Sequence, residues 1–128
     1  MQRFLLDTHV FLWWLDDAPE LGPYCRELIA DQRNEVFVSA ATTWEISIKK
    51  TIGKLDAPED MDSIVEDEGF SKLPINLYHG QLAGSLPVLH RDPFDRLLVA
   101  QEQVEDLILM TSDANIGLYN VCVRSPED

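Results

Sequence analysis

The sequence predicts an α/β fold built around a central, mostly parallel β-sheet. Short apolar runs typical of buried strands alternate with longer stretches of helical character, as expected when helices connect parallel strands. The 128 residues, of which 45% are hydrophobic and 26% charged, are enough to bury one hydrophobic core. We therefore expect residues 1–128 to form a single domain.

The first half of the chain shows two strand patterns and three helix patterns. Phe4–Leu6 and Val36–Ser39 are short runs of the kind found in buried strands. Pro19 and Pro23 mark a break between the first two helices, because proline is not tolerated in a helix interior. The predicted elements are a strand over residues 3–6, a helix around 10–15, a helix to about residue 33, a strand over 36–39 and a helix from about residue 42 to before residue 53.

The second half contains the clearest helix start of the sequence. Asp92-Pro93 combines an N-cap acid with proline at the first helical position. Pro74 restricts the run around it to a sheet edge or a strand end. The predicted elements are an acidic helix over about 58–68, an edge strand over 72–75, a helix over 77–85, a helix from residue 93 to about 104, a strand over 107–110 and a last strand over 121–123.

Four acidic residues occupy comparable places relative to these strands. Asp7 and Asp113 follow predicted strands, and Asp7 lies between two apolar runs where a carboxylate is poorly solvated. Glu45 and Asp95 lie in the first turns of predicted helices. Because the carboxyl ends of parallel strands face one crevice, we expect these four carboxylates to lie close together.

Such a cluster of carboxylates needs a counter-charge. Like charges a few ångströms apart either force protonation or require a cation. Helix N-termini contribute only about 0.3–1 kcal/mol each, which is too little to offset several carboxylates. An all-oxygen ligand set favours Mg²⁺ or Mn²⁺ over zinc. A divalent ion in this position can activate water and stabilise in-line displacement at a phosphodiester.

Structural roles also account for these acids when each is taken alone. Thr42-x-x-Glu45 fits a capping box, and Glu45 is spaced for an ion pair with Lys49. Asp95 can complement a helix dipole, and Asp113 can cap a turn. Their shared position at strand ends is what favours a functional interpretation.

Four blocks of sequence carry a family resemblance: Leu5–His9, Ser39–Lys49, His90–Gln101 and Thr111–Asp113. In content and order they resemble the successive motifs of PIN-domain proteins, and in particular the VapC-like toxins of type II toxin–antitoxin pairs. The resemblance spans essentially the whole chain. The first and third blocks are the specific ones.

The resemblance implies a PIN-like three-layer α/β/α sandwich and metal-dependent endoribonuclease activity, with Mg²⁺ or Mn²⁺ as cofactor and RNA as substrate. Four residues match the family's acids and are expected to bind the metal and to act in catalysis: Asp7, Glu45, Asp95 and Asp113. Thr8 is expected to add a contact at the site. A homodimer and a cognate antitoxin protein that covers the site are implied in the same way.

The net charge departs from what RNA binding requires. The chain has 23 acidic and 10 basic residues and a formal net charge of −13, whereas a nucleic-acid binder is expected to carry a basic surface. Arg96 is the preferred phosphate ligand, because a guanidinium binds phosphate in a bidentate manner, and it can equally pair with Asp95. The other candidate cations are Lys49, Lys50, Lys54 and Arg91.

The three histidines are not spaced as metal ligands. His9 and His79 are expected to be structural or surface residues, and so is His90, for which a position near the substrate is also considered.

Two other functions compete with the nuclease. A phosphoacceptor protein would use Asp7 as a nucleophile, but a haloacid-dehalogenase-like phosphatase needs an acid where His9 stands, and a receiver domain needs paired acids at the first strand end. A catalytically silent interaction module that keeps the PIN fold is the main alternative. The presence of all four acids argues against that module.

The cellular context follows from the N-terminus and the cysteines. The first apolar stretch contains Asp7 and His9, lacks a cleavage site, and no apolar run approaches the ~20 residues that span a bilayer. Cys25 and Cys122 lie far apart and are expected to be buried thiols of a reduced protein. We therefore expect a cytoplasmic protein without membrane association.

Overall fold

The computed structural model describes residues 1–119 and 123–127, and these form an α/β fold around a parallel sheet. Within them the sheet has five strands in the order β3-β2-β1-β4-β5, and each neighbouring pair is parallel. Parallel strands require long crossover connections, which the helices supply. The strands are β1 (Arg3–Leu6), β2 (Glu35–Ser39), β3 (Ser71–Leu73), β4 (Ile108–Met110) and β5 (Val123–Arg124).

The helices occur in the predicted order. They are α1 (Thr8–Asp16), α2 (Pro23–Ala30), α3 (Ala40–Thr51), α4 (Met61–Asp67), α5 (Leu77–Ser85) and α6 (Pro93–Glu105), followed by a 3-10 turn over Ile116–Leu118. The second helix ends at Ala30, about three residues before the predicted end. In the described part of the chain, no helix has the length and apolar character needed to cross a membrane.

The start of α3 differs from the prediction. Ser39, the last residue of β2, is the N-cap, and its Oγ accepts a hydrogen bond from the Ala41 N–H at 3.0 Å. The predicted capping box between Thr42 and Glu45 is therefore wrong, because Thr42 already lies inside the helix. Glu45 consequently lies in the second turn of α3, not in the first.

Side chains of the sheet alternate between two hydrophobic layers. In β1, Phe4 and Leu6 pack with α1, α2 and α4, whereas Leu5 packs on the opposite face with α6 and the residues around Ile116. Helix α3 contributes to both layers. This arrangement is the expected three-layer α/β/α sandwich. Trp13 and Trp14 are partly buried against the first layer, so they belong to the edge of the core.

The C-terminal strand is described in part. The predicted strand over residues 121–123 includes two residues outside the described part of the chain, Val121 and Cys122. β5 begins at Val123 and pairs with β4. The other cysteine, Cys25, is buried, and its thiol donates to the Ser125 carbonyl at 3.1 Å, which ties α2 to the chain after β5.

The register of β1 and β4 places the residues that follow the two strands side by side. Leu6 pairs with Met110, and the Asp7 N–H donates to the Met110 carbonyl at 3.1 Å. Asp7 and Thr111 therefore leave the sheet together. This edge, where the strands end, is the place at which the acids were predicted to meet.

A buried amide fastens this edge to helix α6. Gln101 is fully buried and accepts a hydrogen bond from the Ser39 hydroxyl at 2.5 Å. Its Nε2 donates to the Pro74 carbonyl at 3.2 Å. A single side chain thus joins the end of β2, the segment after β3 and α6.

We expect Gln101→Leu to lower the free energy of unfolding by about 1–2 kcal/mol, because the Ser39 hydroxyl loses its acceptor in a buried position. Urea denaturation measures this change. Gln81→Leu, at an exposed position of α5, is the matched control, and its effect should stay within about 0.5 kcal/mol. Equal stability of the two variants would contradict a structural role for Gln101.

Candidate active site

A cleft of about 160 Å³ lies at the carboxyl ends of β1 and β4. Four chain segments reach it: the start of α1, the second turn of α3, the loop into α6 with its first turn, and the turn after β4. The lining residues are Asp7, Thr8, His9, Glu45, Lys49, His90, Asp92, Asp95, Ser112 and Asp113. The structure therefore brings all four predicted acids together.

Asp7 is held on both carboxylate oxygens. It is the N-cap of α1, and its Oδ1 accepts from the Val10 N–H at 2.8 Å. Its Oδ2 accepts from the Thr111 hydroxyl, which belongs to the residue directly after β4. Burial raises the pKa of Asp7 above its ordinary value, although both hydrogen bonds act in the opposite direction. The side chain is thus rigid, and its negative charge is poorly solvated.

Glu45 is buried in the cleft between a hydroxyl and an ammonium group. Its Oε1 accepts from the Thr8 hydroxyl at 2.6 Å, and its Oε2 lies 2.6 Å from Lys49 Nζ in the ion pair that the spacing predicted. The hydrogen bond to Glu45 raises the pKa of Lys49, with further contributions from Asp92 and Asp95. Thr8 therefore positions Glu45 from inside the cleft.

Asp95 lies in the first turn of α6 and is half-buried. The preceding N-cap is Asp92, as predicted, and its Oδ1 accepts from the N–H groups of Phe94 and Asp95 at 2.9 and 3.3 Å. Burial, followed by the nearby charge of Asp92, raises the pKa of Asp95 to about 7. The carboxylate thus carries its negative charge at a cost that a cation would relieve.

His90 is the residue that sequence reasoning placed least well. Its Nε2 lies 2.8 Å from Asp95 Oδ2 and 3.1 Å from Asp113 Oδ2, so the imidazole bridges the two carboxylates. Desolvation acts to lower the pKa of His90, but the hydrogen bond to Asp95 and the charges of both acids outweigh it and raise the pKa. The sequence signal that could have placed His90 in the cleft is its position at the start of the His90–Gln101 block, which also contains Asp95.

The turn after β4 couples two of the acids. Asp113 Oδ1 accepts from the Asn115 N–H at 2.8 Å, so this carboxylate caps the following turn while its Oδ2 faces the cleft. The Asp113 N–H donates to the hydroxyl of Thr111 at 3.1 Å, and that hydroxyl in turn donates to Asp7. Thr111 therefore sets the position of both acids.

The donor set of the cleft suits a hard divalent cation. The carboxylates of Asp7, Glu45, Asp95 and Asp113 line the cleft, with Lys49 as the cationic partner of Glu45. Among the described residues, ligand atoms of Asp95 and Asp113 lie within 4.8 Å of one another together with one from His90, a group that does not include Asp7 or Glu45. Burial is the main cause that raises the pKa of both Asp7 and Asp95, so their carboxylates carry negative charge in poorly solvated positions. Oxygen ligands of this kind are those preferred by Mg²⁺ and Mn²⁺.

Arg96 follows Asp95 directly but turns away from the cleft. Its guanidinium donates to the carbonyls of Ala83, Leu86 and Pro87 at 2.7, 3.0 and 3.2 Å. It thereby holds the loop between α5 and α6 against α6. The predicted bidentate contact of Arg96 with phosphate does not fit this arrangement, because the donors point at backbone carbonyls inside the fold.

Residues 4–122 match the family model of the PIN domain. The chain belongs to the PIN domain family. Over 58 residues this PIN domain is 40% identical to ribonuclease VapC16 of Mycobacterium tuberculosis, a match that covers 42% of this chain and 41% of that protein.

Solved structures share the fold of this PIN domain at low sequence identity. VapBC from Salmonella typhimurium, in a DNA-bound crystal structure, is 16% identical, with a TM-score of 0.67 over 97% of this chain and 98% of that one. VapBC2 from Rickettsia felis, bound to a promoter DNA fragment, is 14% identical, with a TM-score of 0.65 over 96% and 98% of the two chains. At such identities the likeness establishes the fold.

We expect Arg96→Lys to destabilise this PIN domain by about 1–3 kcal/mol, because one ammonium cannot replace a planar group that spans several carbonyls. Chemical denaturation measures the change. Arg33→Lys is the control, since Arg33 makes an exposed ion pair with Asp31, and such pairs contribute little. An Arg96→Lys protein of normal stability but weakened RNA affinity would restore the phosphate-binding interpretation.

Proposed function

We propose that this chain is a single PIN domain that acts as a metal-dependent endoribonuclease and hydrolyses RNA phosphodiester bonds. The observation that carries the proposal is the convergence of four carboxylates, from four separate chain segments, on one cleft. Such an arrangement is costly unless it holds a cation. The partial match to a protein named a ribonuclease supports the same activity.

In this proposal Asp7, Asp95 and Asp113 hold Mg²⁺ or Mn²⁺. When bound, the ion supplies positive charge that activates water and stabilises the in-line displacement at phosphorus. Glu45 accepts a hydrogen bond from the attacking water and orients it. Thr8 and Lys49 keep the Glu45 carboxylate in place for this task, since they contact its two oxygens at 2.6 Å each.

RNA binding in this acidic protein requires more than cationic side chains. Lys49 is paired with Glu45, and Lys50 Nζ lies 3.2 Å from a Glu59 oxygen, so their charges are partly compensated. Arg91 is exposed, and its two neighbours in the sequence, His90 and Asp92, line the cleft, so we assign it as a cation for the RNA backbone. A divalent ion held by the cleft carboxylates would supply further positive charge for the phosphate backbone.

An aromatic pair whose members each precede a cleft residue in the sequence is our candidate surface for a nucleobase. Trp44 is 54% exposed and directly precedes Glu45, and its ring packs edge-on against Phe94, with ring centroids 5.1 Å apart. Phe94 directly precedes Asp95. Stacking on aromatic rings is a common way to bind single-stranded nucleic acid without a basic groove. We assign Trp44 to a base next to the cleaved phosphodiester.

We further propose that the chain is the VapC-like toxin of a toxin–antitoxin pair, that it forms a homodimer, and that a cognate antitoxin covers the cleft. The support is that solved structures with this fold include VapBC assemblies from Rickettsia felis and Salmonella typhimurium. The competing proposal, a catalytically silent interaction module, predicts the same partners but no RNA turnover.

Purified protein, free of any inhibitor, should cleave a mixed RNA pool in the presence of Mg²⁺ or Mn²⁺ and stop when EDTA is added. Asp95→Asn should reduce the rate by at least about 100-fold, because the ion loses an anionic ligand worth several kcal/mol. The metal-free variant should melt at the same temperature as the wild type or higher, because the substitution removes a poorly solvated charge. Gel-based cleavage and thermal denaturation report these two results.

An Asp95→Asn variant that cleaves RNA normally would refute the assignment of the site. A folded wild-type protein that binds a divalent ion but cleaves no RNA would favour the silent interaction module. Asp7→Ala should also abolish cleavage, and it serves as the second inactive control.

We expect Trp44→Ala to raise the dissociation constant for single-stranded RNA by roughly 5- to 100-fold, since stacking contributes about 1–3 kcal/mol per base. The measurement is fluorescence anisotropy with labelled RNA, in the Asp95→Asn background and with Ca²⁺ present to prevent turnover. Tyr78→Ala is the matched control. Tyr78 is 57% exposed, as Trp44 is about half exposed. Its neighbour His79 lies 3.8 Å from Glu105, at the end of α6 opposite to Asp95. Equal effects of the two substitutions would argue against stacking at Trp44.

A further inference from the structure

The imidazole of His90 occupies a position that an ion ligand would take. Its Nε2 and the facing oxygens of Asp95 and Asp113 form a triangle in which all ligand atoms lie within 4.8 Å of one another. The two nitrogen–oxygen distances are 2.8 and 3.1 Å. Adjacent ligands of an octahedral ion with bonds of about 2.1 Å are separated by roughly 3.0 Å, so the observed spacing is that of neighbouring ligands.

The main chain of His90 is fixed on both sides. Its N–H donates to the hydroxyl of Tyr119 at 2.9 Å, and Leu89 donates to the same hydroxyl at 3.2 Å. The His90 carbonyl lies 3.4 Å from the guanidinium of Arg96. Tyr119 is buried, and Arg96 is anchored by three further carbonyls. The fold therefore preorganises the imidazole against the two carboxylates instead of leaving it on a free loop.

We propose that His90 is a nitrogen ligand of the divalent ion, and that it makes this site bind Mn²⁺ more tightly than Mg²⁺. The inference rests on the metal site of the proposed function and adds a residue that the four predicted acids do not include. In this structure Nε2 lies within hydrogen-bond distance of both carboxylates, and as a ligand the imidazole would bind the ion through the same nitrogen.

The ion preference follows from the type of ligand. Mg²⁺ favours oxygen ligands and retains its water, so it gains little from an imidazole. Mn²⁺ binds nitrogen ligands more tightly than Mg²⁺ does, and it also accepts carboxylate ligands. Removal of the imidazole should therefore weaken Mn²⁺ binding and leave Mg²⁺ binding almost unchanged, whereas removal of a carboxylate should weaken both.

The experiment measures Mn²⁺ and Mg²⁺ binding to metal-free protein by isothermal titration calorimetry, in the wild type, His90→Gln, His9→Gln and Asp95→Asn. We expect His90→Gln to raise the Mn²⁺ dissociation constant by about 10-fold or more and the Mg²⁺ dissociation constant by less than about 3-fold. Asp95→Asn should raise the dissociation constants of both ions. His9→Gln is the control for the loss of an imidazole that lines the cleft but lies outside the group of His90, Asp95 and Asp113, so any effect it has should be equal for Mn²⁺ and Mg²⁺.

A spectroscopic readout distinguishes ligation from positioning. Electron spin echo envelope modulation of bound Mn²⁺ should show coupling to one ¹⁴N nucleus in the wild type and in His9→Gln, and none in His90→Gln. A wild-type spectrum without ¹⁴N coupling would overturn the inference. An equal increase in the Mn²⁺ and Mg²⁺ dissociation constants in His90→Gln would also overturn it. In the latter case the imidazole would only orient the carboxylates.

The same samples separate this inference from the proposed function. Mn²⁺ bound through ¹⁴N by a protein that cleaves no RNA would uphold the role of His90 and refute the nuclease. RNA cleavage by a protein whose bound Mn²⁺ shows no ¹⁴N coupling would uphold the nuclease and refute the role of His90.

Discussion

The cleft of the candidate active site depends on the pairing of β1 with β4. Because Leu6 pairs with Met110, the next residues of the two strands, Asp7 and Thr111, emerge side by side from the sheet. The Thr111 hydroxyl then donates to Asp7 and accepts from the N–H of Asp113. A shift of one residue in this register would reverse the faces of β4 and separate the two acids. The hydrophobic layers on both sides of the sheet, which specify the register, therefore also specify the site.

A second set of contacts brings α6 and its preceding loop to the same place. Arg96 and Tyr119 do not line the cleft, but they form hydrogen bonds with the backbone of the loop from Leu86 to His90. The hydroxyl of Tyr119 also donates to the carbonyl of Pro87 at 2.8 Å. Val88 and Leu89 of this loop are exposed, so these hydrogen bonds, and not burial of those two side chains, hold His90 and the start of α6 in position.

The strands, the order of the helices and the meeting of the four acids could be predicted from the sequence, because apolar runs and the topology of parallel sheets determine them. The role of Arg96 could not be, since its partners are backbone carbonyls, which leave no mark in the sequence. The start of α3 was missed because Ser39 and Thr42 are both good N-caps, and only the end of β2 decides between them. The bridging place of His90 depends on the path of a loop that side-chain patterns do not encode.

The imbalance of charge in the cleft has a consequence for the order in which ligands assemble. Five carboxylates line it, from Asp7, Glu45, Asp92, Asp95 and Asp113, and a lysine and two histidines face them. Under the proposed function, an RNA phosphate that approaches this surface would meet repulsion in the absence of a divalent ion, and a bound ion would offset that repulsion. Ion and RNA binding are then thermodynamically linked, and each must raise the affinity for the other by the same factor. If the proposed function holds, the concentration of free divalent ion acts as a heterotropic effector of RNA affinity.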